Sequence, residues 1–178
     1  MLLQSVLNPE IADPFSDLRL RPEEPGDEPV LFEIYASTRK EELDLTGWDP
    51  ATRQEFLNHQ FSAMRAGYRS MFPQAAFSMI LLGGRPIGRQ VVDRTLDEIR
   101  LVDIALLPGF CGHGLGTKLM RDLLVEAAEA KKPVRLQVVI RSRATALYTR
   151  LGFRPVGEAD VYETLEWLPE FAGRLKTA

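Results

Sequence analysis

The sequence predicts an α/β (α+β) layer fold in which a mixed, mostly antiparallel sheet is flanked by helices. Three observations predict it. From Leu18 onward, stretches with apolar residues at alternate positions are interleaved with stretches at helical spacing. The strand-like stretches in the middle of the chain are joined by short turns, as in a meander. A glycine-rich loop then connects one strand directly to an amphipathic helix. The 178 residues, 45% of them hydrophobic, suffice for one substantial core and fall short of two ordinary domains. Residues 17–178 are therefore expected to form a single domain. Residues 1–16, with two prolines and no sustained periodicity, read as an N-terminal extension without chemistry of its own.

The elements follow in order. Leu18, Leu20 and the stop at Pro22 make a short first strand, and residues 25–40 carry Val30, Leu31, Ile34 and Tyr35 at helical spacing. Asp49 and Pro50 are an N-cap and a first helical residue, after which Leu57, Phe61, Met64, Tyr68 and Met71 share one face as far as Pro73. Residues 77–82 and 87–93 form a hairpin through Gly83-Gly84, and a third strand follows at about 98–107. In that third strand the apolar parity slips: Ile99 and Leu101 give way to Val102, Ile104 and Leu106, with Asp103 between them. A one-residue slip exchanges the faces of a strand, and a β-bulge is its usual repair; a strand end buried on both faces is the other reading. A helix with Leu115, Leu119, Leu123 and Ala127 on one face comes next and is expected to end near Lys131-Lys132-Pro133 with cations at its C-terminus. Residues 134–140 form a strand, 144–151 a short helix closed by Gly152, and 153–156 and 161–167 the last two strands.

Composition removes several functions. Lys+Arg 22 against Asp+Glu 25 gives a net charge of -3 with the signs interspersed, so there is no basic stripe for nucleic acid. One cysteine, Cys111, and two histidines, His59 and His113, provide neither a disulfide framework nor metal-ligand spacing, so no metal is expected. The N-terminal residues lack the pattern of a secretory signal, and no apolar run approaches the roughly 20 residues needed to span a bilayer. A cytoplasmic protein without membrane contact is the expectation.

Gly112, Gly114 and Gly116, at alternate positions between strand and helix, expose backbone N–H groups at the positive end of a helix dipole, a setting for a pyrophosphate. A tight strand-to-helix turn explains the same glycines without a ligand. Neither the G-x-G-x-x-G fingerprint nor the Gly-Lys-Ser/Thr of a P-loop is present, because Gly116 is followed by Thr117 and Lys118.

The run Val102-Asp103-Ile104-Ala105-Leu106-Leu107-Pro108-Gly109-Phe110-Cys111-Gly112-His113-Gly114-Leu115-Gly116-Thr117 resembles the acetyl-CoA motif of the GCN5-related N-acetyltransferases (GNAT). Ala144-Thr145-Ala146-Leu147-Tyr148-Thr149-Arg150-Leu151-Gly152-Phe153 resembles that family's downstream A-x-x-L-Y-x-x-x-G-F motif. The two motifs stand in the family's order and spacing, and the resemblance extends from about Leu18 to Trp167.

The resemblance implies a bulged strand splayed from its neighbour, with the pantetheine arm of acetyl-CoA lying between them. Ile104, Ala105 and Leu106 would then offer backbone groups to pantetheine. Gly112, His113, Gly114, Leu115, Gly116 and Thr117 would surround the pyrophosphate, with Lys118 adding charge. The implied reaction is transfer of an acetyl group to a primary amine by direct attack in a ternary complex, with Tyr148 donating to the departing sulfur. Asp103 is a candidate base; Glu41, Glu42 or a water chain are others. The acidic segment 39–48 points to an amine acceptor, a small molecule or a peptide. A homodimer is compatible with the mixed sheet and the terminal hairpin.

The chain departs from the family pattern at three places. Cys111 stands where Arg or Gln is usual and is expected to be buried. Arg141-Ser142 replaces a common asparagine, and Gln137 replaces a glutamate that some members use as base. These departures keep open a second function, a non-catalytic acyl-CoA-binding sensor or subunit, and a third, an interaction domain whose loop binds nothing.

Overall fold

A computed structural model describes residues 15–170. Seven strands form one sheet in the order β1-β2-β3-β4-β5-β7-β6. They are β1 (Leu18–Pro22), β2 (Ala76–Leu82), β3 (Arg85–Arg94), β4 (Ile99–Leu106), β5 (Val134–Val139), β6 (Arg154–Ala159) and β7 (Tyr162–Trp167). Four helices accompany them: α1 (Glu28–Asp44), α2 (Pro50–Met71), α3 (Leu115–Ala130) and α4 (Arg143–Arg150). All neighbouring strands are antiparallel except β4 and β5, which α3 joins in parallel. The mixed, mostly antiparallel sheet expected from the sequence is therefore present.

The sheet is covered on two faces. On one, Met120, Leu123, Leu124 and Ala127 of α3 and Tyr148 and Leu151 of α4 pack on Ile99, Leu101, Val134, Leu136 and Trp167. On the other, Leu31, Ile34 and Tyr35 of α1 and Leu57 and Phe61 of α2 pack on Met79 and Ala105. Apolar burial of this kind stabilises by about 25 cal/mol per Å² removed from water, so both faces contribute to one core.

Local chemistry sets the helix ends. Asp49 caps α2 by accepting from the N–H groups of Ala51 and Thr52, at 2.9 and 3.1 Å. Residues 25–27 form a 3-10 turn ahead of α1, and α1 runs four residues past the predicted end at Lys40. The extension buries Leu43, and Lys40 pairs with Asp44 at 2.6 Å along it. α3 ends at Ala130, where the sequence places its end, with Lys131 and Lys132 at the C-terminus. No cation lies in the last turn; Lys131 itself is the left-handed cap, at φ 54°, and Lys132 N–H reaches back to the Ala127 carbonyl.

The predicted slip in β4 is a bulge. Val92 pairs with Leu101 and Val91 with Asp103, leaving Val102 as the extra residue. Parity changes across it: Ile99 and Leu101 precede it on the α3 face, and Ile104 and Leu106 follow it there. No helix of the described residues is long and apolar enough to cross a membrane.

Candidate active site

The bulge coincides with a parting of the sheet. β4 and β5 pair only at Ile99–Val134, Arg100–Arg135 and Leu101–Leu136. Beyond that point Gln137, Val138 and Val139 pair with β7 alone, while Ile104, Ala105 and Leu106 pair with β3 alone. A V-shaped gap opens between the two strands, and the backbone edge of residues 104–106 that faces it has no partner strand among the described residues. Gly88 holds the other edge of β4 close. A Cβ there would fall inside contact distance of the Ala105 carbonyl oxygen, so only glycine lets β3 follow β4.

At the wide end of the gap a 3-10 turn, Pro108–Phe110, leads into the glycine loop. Gly112 and Gly114 take φ values of 80° and 85°, the left-handed region that favours glycine. Gly114 is also the N-cap of α3, and no side chain caps the helix. The N–H groups of its first turn are therefore left for an anion, reinforced by the helix dipole. His113 is exposed on the loop, Leu115 is buried beneath it, and Gly116 and Thr117 are partly covered. Phe15, ahead of β1, lies against Gly114, 3.1 Å from where a Cβ would stand. Lys118 is committed to Asp122 at 2.6 Å. Cys111 is exposed, contrary to the expectation of burial; its thiol lies near the Leu106 and Leu107 carbonyls, at 3.7 and 3.6 Å.

Tyr148, on α4, sits in the core cluster with Val138, Leu151 and Phe153. It is 6% exposed, and its ring packs edge-on against Phe153 at 5.6 Å. Burial pushes its hydroxyl up to about 12, and the charge of Asp103 adds to the effect. The hydroxyl is therefore a protonated donor at neutral pH.

Asp103, next to the bulge, faces the α1/α2 side. Its Oδ2 accepts from Arg89 Nε at 2.6 Å. Arg89 is 7% exposed; its Nη2 lies 3.4 Å from the Met64 sulfur, its guanidinium 5.8 Å from the Tyr35 ring centre, and its Nη1 is buried with no hydrogen-bond partner. Tyr68 of α2 lies on the same side. Burial first and the Asp103 charge second push it, too, up to about 12. Asp103 thus acts electrostatically on two hydroxyls, one from each side of the sheet. A cavity of ≈ 20 Å³ lies against Arg89, Asp103 and Tyr68.

Asp103 thus stands next to the bulge and Tyr148 in the core under α4, where the charge of Asp103 acts on its hydroxyl; residues 104–106 form the unpaired edge of β4, and 112–117 follow the Pro108–Phe110 turn into α3. Of the other acids considered, Glu42 pairs with Arg39 and Asp44 with Lys40 and Arg53, so the acidic segment before Trp48 is largely neutralised by its own neighbours. Glu41 lies 3.8 Å from Arg143 of α4 at the surface. Arg89 and Tyr68 are functional candidates that the sequence does not single out. The available signal for Arg89 is a charge within the apolar run of β3; Tyr68 reads there only as a core residue at helical spacing.

The architecture is thus a mixed α/β sheet parted at a bulge, with a glycine loop and the N-terminus of α3 following the bulged strand. Residues 73–155 match the model of the acetyltransferase (GNAT) domain family, a stretch running from just past α2 into β6. Among solved structures, the fold is similar to PaiA N-acetyltransferase from Thermoplasma acidophilum in complex with coenzyme A, at 14% identity and TM-score 0.65 over 85% of this chain and 98% of that one. It is similar to an acetyltransferase from Thermus thermophilus, at 18% identity and TM-score 0.61 over 85% and 96%. A GNAT family acetyltransferase from Elizabethkingia anophelis with acetyl-CoA bound gives 14% identity and TM-score 0.53 over 86% and 99%. No curated protein matches the sequence. The chain has the fold of the GCN5-related N-acetyltransferases.

Proposed function

We propose that the protein is an acetyl-CoA-dependent N-acetyltransferase that acetylates a primary amine by direct attack in a ternary complex. The observation that carries this reading is the parting of β4 from β5 at the Val102 bulge, which leaves backbone groups of Ile104, Ala105 and Leu106 for the pantetheine arm. The uncapped N-terminus of α3 and the left-handed glycines supply a fitting cradle for the pyrophosphate. The similar structures with coenzyme A or acetyl-CoA support the same use of the fold.

Bound there, acetyl-CoA supplies the activated acyl group, and the chain's residues orient it and manage protons. Tyr148 donates a hydrogen bond toward the sulfur. At about 12 its hydroxyl is a weaker acid than a thiol, ordinarily about 8.5, so it stabilises developing thiolate without giving up its proton. Asp103, fixed by Arg89, receives the proton of the incoming ammonium through its second oxygen. Gln137 lies on the far side of the gap as an amide and takes no part in proton transfer.

Thiol release from acetyl-CoA across an amine library tests the proposal. Amine-dependent thiol release is expected; acetyl-CoA binding without release for any amine would favour the non-catalytic sensor, a reading that Gln137, in place of a glutamate some members use as base, also supports.

A further inference from the structure

We infer that the chain holds a second binding site, between α3 and β1, for a small, flat, neutral heterocycle with a hydrogen-bond donor beside an acceptor on one edge, the edge that a nucleobase presents. The inference stands apart from the acetyltransferase reading, because none of the residues lining this site belongs to β4, β5 or the glycine loop.

Three observations carry it. A cavity of ≈ 260 Å³ lies between Leu18 and Leu20 of β1 and Leu119 and Leu123 of α3, and Leu20 is left 47% exposed beside it. Gln90 of β3 lines the same cavity, on the strand face it shares with Val92, and is only 4% exposed. No hydrogen bond engages its side chain among the described residues, and unlike Arg89 Nη1 its amide atoms are not sealed from solvent. A buried amide without partners is unfavourable unless a ligand or water completes it. The third observation is charge. Arg94 is held by Glu126 at 2.6 and 2.9 Å, and Asp122 by Lys118 at 2.6 Å, so the ion pairs at the rim are closed. Arg19 lies on the opposite parity of β1 from Leu18 and Leu20. The group left to recognise a ligand is therefore a neutral amide.

The amide defines the ligand's edge. It presents a donor and an acceptor side by side in one plane, and its complement is an edge with an acceptor and a donor in that plane, as when glutamine meets adenine through two hydrogen bonds. The flanking leucines suit the apolar faces of a ring. The volume falls just under the roughly 300–1,000 Å³ of drug-sized pockets, which fits a free base better than a whole nucleotide cofactor. A purely apolar ligand would fill the walls and leave the Gln90 amide unpaired. A charged one would bring in a charge that the closed ion pairs do not match.

The test is calorimetry and ligand-observed NMR on the full-length protein with adenine, cytosine and uracil, each against its neutral, fully N-methylated derivative, which keeps the ring and loses every donor. At least one base should bind with a Kd of about 1 mM or tighter, and about tenfold tighter than its methylated form, the worth of one or two hydrogen bonds. Binding should persist with coenzyme A added in excess. Gln90→Met keeps the length and unbranched shape of the side chain and removes its amide. It should weaken the preferred base about tenfold, to the level of the methylated form. No base bound more tightly than its methylated form would overturn the inference. Displacement of the base by coenzyme A would also overturn it, by placing the base in the gap. An undiminished preference in folded Gln90→Met would do the same. A cavity filled by the chain's own termini would show as absence of binding and count equally against it. The base comparison uses the wild-type protein, so the outcome does not depend on the variant folding. None of these outcomes touches acetyl transfer, which thiol release decides separately.

Discussion

At the scale of single residues, the proposed reaction rests on Tyr148 and Asp103, and burial decides what Tyr148 can do in it. Tyr148→Phe keeps the edge-on contact with Phe153 and removes only the hydroxyl, so the packing cost is small. Turnover is expected to fall by about tenfold or more, the low end for a proton-donating group, with acetyl-CoA affinity unchanged in calorimetry. Undiminished kcat would return this tyrosine to a packing role. The raised hydroxyls also fix a pH dependence of stability. Tyr68 and Tyr148 move from 10.0 to about 12 on folding. Between those values the unfolded chain has lost the two protons and the folded one keeps them. Their contribution is therefore fully present below pH 10 and is lost as pH rises toward 12. Thermal melts should decline over that window, and Tyr68→Phe with Tyr148→Phe should flatten the decline. Arg89 shows why part of the site is hidden in the sequence. It and Asp103 lie fourteen residues apart on different strands, and the extra residue at Val102 makes them diagonal neighbours. Spacing along the chain holds no record of that pairing.

At the scale of elements, periodicity and punctuation make most of the fold legible. Strand β1, the Gly83-Gly84 hairpin, the Asp49 cap and the parity slip in β4 all depend on neighbours within a few residues, and each stands where its sequence pattern lies. The end of α3 also stands where its pattern lies, but the left-handed form of its cap is not legible, because it depends on the bonds from Lys131 and Lys132 back to Ala128 and Ala127. That cap gives a prediction. Lys131 occupies φ 54° at a cost of about 1 kcal/mol that glycine avoids, so Lys131→Gly should raise the melting temperature by about 2–4 °C. No change in a scanning melt would show the strain to be absent. The glycine loop separates two causes in the same way. Gly114→Val meets both the positive φ and the Phe15 ring, so it should lower stability as well as acetyl-CoA affinity. Gly116 has no positive φ, and an added Cβ would meet only Leu147, at an ordinary 3.8 Å. Gly116→Ala should therefore keep or gain helix stability, up to about 1 kcal/mol, while losing acetyl-CoA affinity by calorimetry. Unchanged affinity would mean that the pyrophosphate does not approach this backbone.

At the scale of the whole molecule, the sheet is two half-sheets joined at three residue pairs, with β1 to β4 on one side and β5, β7 and β6 on the other. A ligand lying in the gap would bridge the halves. Acetyl-CoA should therefore slow amide hydrogen exchange in residues 104–106 and 137–139 more than in β2, which is paired on both edges. Equal protection everywhere would place the ligand elsewhere. The outer edge of the second half-sheet is β6, where Pro155 offers no N–H and Val156 bulges, so that edge is poorly suited to pairing with another strand. The three-pair seam also orders the acquisition of structure. Most of the meander and the β6–β7 hairpin close through short turns, whereas Ile99 meets Val134 only after the intervening α3 crossover has closed on itself. So few ladder bonds reward that closure that α3 must dock its apolar face first. Substitutions at Leu123 or Leu124 should then slow refolding, while substitutions in the seam itself should mainly hasten unfolding.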